Sequence, residues 1–175
     1  SAIVAVLVAT SAVIVPIAVP ILPVDTLVRY QSALGLKAGK MEMGHGGVLD
    51  QHFADRFGWK EFAADVSKIY AKLPAEERAK CVVLCGNYGE AGALEYYAKE
   101  FDLPPAVSTH NNYWLWGPRN ASPDVIMVVS WTGQSIADQG LFASGGEVAR
   151  SVHPYSEEQE IPIFVFRGLK PPNTI

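Results

Sequence analysis

The sequence predicts an α/β fold, a three-layer, Rossmann-like domain with a mostly parallel sheet, preceded by the remnant of a membrane helix. Three observations predict the domain. Cys81-Val82-Val83-Leu84-Cys85 is an apolar run that stops at Gly86 and passes through a glycine-rich stretch into apolar residues at helical spacing, which reads as buried strand, turn and helix. A helix-spaced segment precedes this unit and a short strand, Ala106-Val107-Ser108, follows it, so helices and strands alternate as in a parallel sheet with crossovers. Val125-Ile126-Met127-Val128-Val129 is apolar at every position, as expected of a central strand covered on both faces.

The bulk properties narrow the function classes. A chain of 175 residues with 49% hydrophobic residues is long enough for one domain with a substantial core and short for two. Its 14 basic and 18 acidic residues give a net charge of -4 and form no basic run, which excludes an electrostatic footprint for nucleic acid. Cys81 and Cys85 are the only cysteines. On one strand their Cα atoms lie roughly 13 Å apart, beyond the ~4.4–6.8 Å that a disulfide spans. They read as two small buried hydrophobes or, alternatively, as a reactive thiol site.

The chain opens with its least ordinary feature. From Ala2 to Val24 there is no charged residue, and Val, Ile, Ala and Leu dominate. About 20 such residues cross a bilayer as a helix, but Pro16, Pro20 and Pro23 each remove a backbone donor, so the regular part is expected to end near Val15. No positive segment precedes the run as a secretory signal requires. The expectation is a piece of a larger protein: residues 1–24 the end of a membrane helix with a proline-rich exit, residues 25–175 the folded domain. The alternative is a buried element of a soluble domain. Freed from lipid, residues 2–24 are expected to self-associate.

Asp25 to Leu36 places Leu27, Tyr30 and Leu34 on one face and predicts a short helix capped by Asp25, with Gly35 near its end. Lys37 to Gly47, including His45, reads as a surface loop. Leu49 to Trp59 gathers three aromatics with His52 and Asp55, a packed corner or a ligand platform. Lys60 to Leu73 is the clearest helix, with Phe62, Val66, Ile69 and Leu73 on one face and Lys60, Glu61, Lys68 and Lys72 on the other. Pro74 stops it, and a charged connector, Ala75 to Lys80, leads to the strand at Cys81. The helix after that strand, about Glu90 to Phe101, buries Leu94, Ala98 and Phe101. Further on, Gln134 to Phe142 predicts a short helix. Glu147 to His153 and Ile161 to Gly168 predict two antiparallel strands at the sheet edge, joined by the polar loop Ser156 to Glu160.

Ligands of open α/β sheets bind beyond the carboxyl ends of the strands, which directs attention to Gly86–Gly92 and to the polar-aromatic run Thr109 to Arg119. Both are expected on the same edge and to meet. The candidate binding residues are Asn87, Tyr88 and Glu90 with His110, Asn111, Asn112, Tyr113, Trp114 and Trp116, and Arg167 after the last strand. Amides beside aromatic rings suit a sugar, which offers C–H faces and hydroxyls; the same residues also suit a self-satisfied network that locks two loops together. At the first turn of its helix, Glu90 also suits a cap. Gly86, Gly89 and Gly92 have neither the dinucleotide spacing nor a P-loop lysine. There is no zinc-protease motif, no Cys/His metal spacing and no nucleophile elbow, so no catalytic residue, cofactor or metal is assigned.

Longer runs carry a resemblance. Gly86-Asn87-Tyr88-Gly89-Glu90-Ala91-Gly92-Ala93, Leu103-Pro104 and His110-Asn111-Asn112-Tyr113-Trp114-Leu115-Trp116-Gly117-Pro118 resemble the C-terminal region of bacterial polytopic membrane glycosyltransferases, relatives of the family 39 protein mannosyltransferases and the aminoarabinose-lipid A transferases. The resemblance extends to Pro20–Val24, Gln51–Trp59 and Phe166–Lys170, and so covers nearly the whole chain. It implies a parent enzyme of the bacterial inner membrane that moves a sugar from a polyprenyl-phosphate donor to an acceptor at the extracytoplasmic (periplasmic) face. Such enzymes carry their acidic base in an early loop that has no counterpart here. The resemblance therefore makes this chain an accessory domain whose partners are the membrane part of its parent and a lipid-linked sugar or acceptor glycan. A purely structural domain and a free-standing α/β enzyme acting on a nucleotide or phosphoester are the alternatives.

Overall fold

The computed structural model describes residues 1–37, 47–118 and 124–170. The interior of the loop expected at 37–47, with His45, and Arg119 lie outside the described residues. The chain divides into two compact units: Ser1–Phe57 with Tyr155–Glu157, and the remainder from Gly58. Composition had set the boundary after residue 24; the structure groups residues 25–57 with the apolar start.

The first unit holds α1 (Ala2–Ala18), α2 (Val24–Ala33) and α3 (Gln51–Ala54). α1 carries no buried residue. It runs through Pro16 and ends at Val19, whose N–H reaches Val15 O, because a proline this close to a C-terminus removes only one bond. No helix among the described residues is long and apolar enough to cross a membrane. α2 is capped by Pro23, not Asp25; Asp25 sits in the first turn and accepts a hydrogen bond from the Tyr155 hydroxyl. Its inner face is Leu27 and Gln31, while Leu34 is exposed. Gly35, at φ 70°, closes it: Leu36 N–H bonds Gln31 O at 3.0 Å and Gly35 N–H bonds Ser32 O at 3.0 Å, the Schellman arrangement that needs a left-handed residue. Leu27, Leu49, Phe53 and Ala54 form a small core of their own, so the aromatic corner is packing, with His52 exposed.

The second unit is a three-layer α/β domain. Its elements are α4 (Trp59–Ala71), α5 (Ala75–Arg78), β1 (Cys81–Cys85), α6 (Tyr88–Phe101), β2 (Ala106–Ser108), α7 (Asn112–Trp116), β3 (Val125–Val129), α8 (Thr132–Asp138), β4 (Phe142–Val152) and β5 (Glu160–Leu169). The sheet order is β2-β1-β3-β5-β4. β1 pairs in parallel with β2 and β3, whereas β5 is antiparallel to both β3 and β4. β3 is central, as its apolar run predicts, but of the two strands expected at the sheet edge β5 is interior, between β3 and β4, and β4 alone is an edge.

The period of two sorts the side chains onto the two faces. Cys81, Val83 and Cys85 of β1, Val125, Met127 and Val129 of β3 and Ile161, Ile163 and Val165 of β5 share one core with Phe62, Val66 and Leu94 of α4 and α6. Val128, Phe164 and Phe166 face the other way and pack with Leu84, Ile126 and Ile136. Gly133 of α8 is required there, since a Cβ would run into the Phe164 ring. α8 starts and stops earlier than expected, and β4 starts earlier, at Phe142. Ala143-Ser144-Gly145-Gly146 falls between the helix and the strand expected from sequence, yet lies within β4; Gly145, at φ 145°, takes a conformation open to glycine and lets Phe166 pack against the strand.

Both cysteines are free and buried. Burial raises the Cys81 thiol to about 11, and burial next to Glu90, Glu95 and Glu158 raises Cys85 well above its ordinary range. They are inert core hydrophobes rather than reactive thiols.

Candidate functional site

β1, β2 and β3 end on one edge of the sheet, and β5 begins there. From β1 the chain goes outward to β2 and then crosses to β3 on the other flank, so the edge between β1 and β3 is the switch point at which α/β folds hold ligands. The two strand ends touch: Gly86 N lies 3.4 Å from Val129 O, and a Cβ on Gly86 would lie 2.8 Å from Ser130 Cβ. Only a glycine lets the β1 backbone pass that close.

Gly86 and Asn87 are all of the turn. Gly89 and Gly92 lie within α6, so the glycine spacing serves helix packing, with Gly89 against the Trp59 ring. Asn87 caps α6: its Oδ1 accepts from Glu90 N at 2.9 Å, while Glu90 Oε2 accepts from Asn87 N at 3.2 Å and from Gly86 N at 2.5 Å, a reciprocal capping box. The remaining amide hydrogens of Asn87 face Glu158, and Nδ2 donates to Glu158 Oε1 at 2.5 Å. Glu90 is 3% exposed. Burial, reinforced by the neighbouring Glu158 carboxylate, pushes its pKa up to about 9, against the two backbone N–H groups that favour the anion. At neutral pH Glu90 is thus a neutral acid that can hydrogen-bond to Glu158. Asn87, Glu90 and Glu158 together clamp the segment before β5 to the end of β1.

The sequence candidates divide into three groups. Asn87, Glu90 and Tyr113 face inward; Tyr113 is buried, its hydroxyl donates to Glu95 Oε2 at 2.9 Å, and its ring meets that of Trp116 edge-on at 4.8 Å. Tyr88, His110, Asn111, Asn112, Trp114 and Trp116 are exposed. Tyr88 and His110 bring the ends of β1 and β2 together, with ring centroids 5.2 Å apart. Asn111 holds φ 52°, ψ -134°, a strained conformation for a residue with a Cβ. Arg167 stands apart. It pairs opposite Val125, at the other edge of the sheet, and its Nε and Nη2 donate to the two carboxylate oxygens of Glu77 at 2.9 and 2.8 Å.

Three residues at the site escaped the sequence reading. Ser130 and Trp131 follow β3 as Gly86 and Asn87 follow β1, so the strand-end rule applied to β3 finds them. Trp131 is exposed, with the Arg150 guanidinium 5.0 Å from its ring centroid. Glu158 has no local signal, because its partner Asn87 is 71 residues away. Among the described residues no group of three or more His, Cys, Asp or Glu is placed to hold a metal.

Comparison with known proteins finds no matching family model, no matching curated protein and no matching solved structure. The class that fold and site define is a Rossmann-like α/β domain whose carboxyl edge combines a buried acid–amide clamp with an exposed polar-aromatic surface.

Proposed function

We propose that this chain is the extracytoplasmic accessory domain of a membrane glycosyltransferase that uses a polyprenyl-phosphate sugar, and that it binds the glycan of donor or acceptor at the carboxyl edge of the sheet. The observation that carries this reading is the exposed Tyr88–His110 pair, 5.2 Å between centroids, beside the exposed amides of Asn111 and Asn112. Flat rings with neighbouring amides match the alternating C–H faces and hydroxyls of a pyranose. The uncharged α1, 17 residues with no buried side chain, supports the membrane location as an apolar element fit to lie against lipid; at roughly 26 Å it is shorter than a bilayer's ~30 Å hydrocarbon core. The chain positions and binds; it assigns no side chain to bond-breaking.

Saturation-transfer NMR against simple sugars, polyprenyl-phosphate analogues and nucleotides tests this. Sugar signals that disappear with Tyr88→Ala or His110→Ala while the fold is kept are the expected result. Silence across the panel from a folded sample sinks it. A structural role is the second reading, favoured by the inward commitment of Asn87, Glu90 and Tyr113; a large loss of melting temperature on replacing the exposed Asn112 would support it.

A further inference from the structure

Trp114, Leu115 and Trp116 project from α7 and are 67%, 78% and 54% exposed. α7 is only one turn and a half long, and Tyr113 pins it, buried among the core residues and hydrogen-bonded to Glu95. The tip is therefore presented on a fixed stem. Trp116 rests edge-on against Tyr113, and Trp114 and Leu115 stand out beside it; exposed apolar groups gathered on one short helix mark an interaction site, and three features specify this one. No formally charged residue occurs from Leu103 to Pro118, so the tip itself offers a protein partner no charge to pair with. The apolar residues are two tryptophans and a leucine, preceded in the chain by the exposed Thr109, His110, Asn111 and Asn112, the mixture of amphipathic ring and hydrogen-bonding group that favours the headgroup level of a bilayer. The same chain carries α1, uncharged and exposed except at the half-buried Pro16 and Ile17, an element suited to acyl chains.

We infer that the α7 tip, Trp114-Leu115-Trp116, dips into the interfacial layer of the lipid bilayer. This inference rests on the membrane location proposed above and deepens it. Tyr88 and His110 then stand at the level where the sugar of a lipid-linked donor emerges, and the tip contacts the lipid from which it emerges. Because the tip is uncharged, its insertion depends neither on anionic lipid nor on salt.

The test uses the full chain with phosphatidylcholine vesicles. Leu115→Cys is labelled with an environment-sensitive fluorophore, and Tyr96→Cys, 81% exposed on α6, is labelled as the control; the buried native cysteines stay unlabelled. The expected result is flotation of both proteins with the vesicles. The Leu115 probe alone shifts to shorter wavelength and is quenched by lipids spin-labelled just below the headgroup, equally at low and high salt. Flotation with an unshifted Leu115 probe, or equal shifts at both sites, overturns the inference while leaving the membrane location standing. Failure to float overturns the location and the inference with it.

Discussion

Asn87 ties the start of α6 to Glu158 just ahead of β5, donating from Nδ2 at 2.5 Å while its Oδ1 caps the helix. One side chain thus serves a helix terminus and a long-range closure. Asn87→Ala is expected to cost about 1–2 kcal/mol from the cap alone, and more as Glu158 loses its donor. Asn87→Asp keeps the capping oxygen but places a third carboxyl group beside Glu90 and Glu158, so it too destabilises. Denaturant unfolding of both variants checks this; wild-type stability in Asn87→Asp would mean that the contact to Glu158 contributes nothing.

Glu90 makes stability depend on pH with a definite sign. Its pKa rises from 4.5 when unfolded to about 9 in the fold, so the native state holds a proton that the unfolded chain releases. The associated stability is complete below 4.5 and is lost as pH rises toward 9, at up to about 1.4 kcal/mol per pH unit. Glu90→Gln keeps an oxygen for Gly86 and Asn87 and a donor for Glu158 without a titrating proton. Its unfolding free energy is expected to lose that slope and to exceed the wild type above neutral pH. Parallel slopes in the two proteins would refute this.

Gly86→Ala drives a methyl into Ser130 and is expected to cost about 1–3 kcal/mol by overpacking. Ser130→Gly in the same chain clears the space and should recover much of the loss. A double-mutant cycle with no coupling would show that the strand ends do not meet as described.

Asn111 is the one exposed candidate held in a strained backbone conformation. Asn111→Gly should raise stability by about 1 kcal/mol by removing the Cβ penalty, offset in part by the greater freedom of glycine when unfolded. If the glycan reading is right, the same variant weakens sugar binding despite its higher melting temperature. A lower melting temperature would contradict the assigned backbone geometry.

The framework was legible because the apolar pattern is strong where burial is complete. Val125–Val129 and Cys81–Cys85 announce interior strands, and Phe62, Val66 and Leu94 announce the helices that cover them. Legibility failed where a glycine changes meaning with its surroundings: Gly145 and Gly146 lay outside the strand expected from Glu147 yet belong to β4, and Gly89 lay before the helix expected from Glu90 yet belongs to α6. The site was half legible. Strand ends located Asn87, Tyr88 and His110, but local sequence does not separate an amide spent on a helix cap from one offered to solvent. Arg167 shows the related failure: its position after an apolar strand looked like the others, but β5 runs opposite, which carries it to the far edge and to Glu77. Glu158, joined to Asn87 only through the folded sheet, left no local trace.

The place of β5 between β3 and β4 also sets an order of assembly. β4 is synthesised first, yet it has no strand to pair with until β5 has emerged, because its only neighbour in the sheet comes later in the chain. Until then β3 presents an open, apolar flank, and Ile161 to Phe166, all buried in the finished sheet, are the residues that cover it. A nascent chain halted before Glu160 is therefore the most adhesive form of this protein, and the stretch most dangerous to delay is the one that makes the sheet whole.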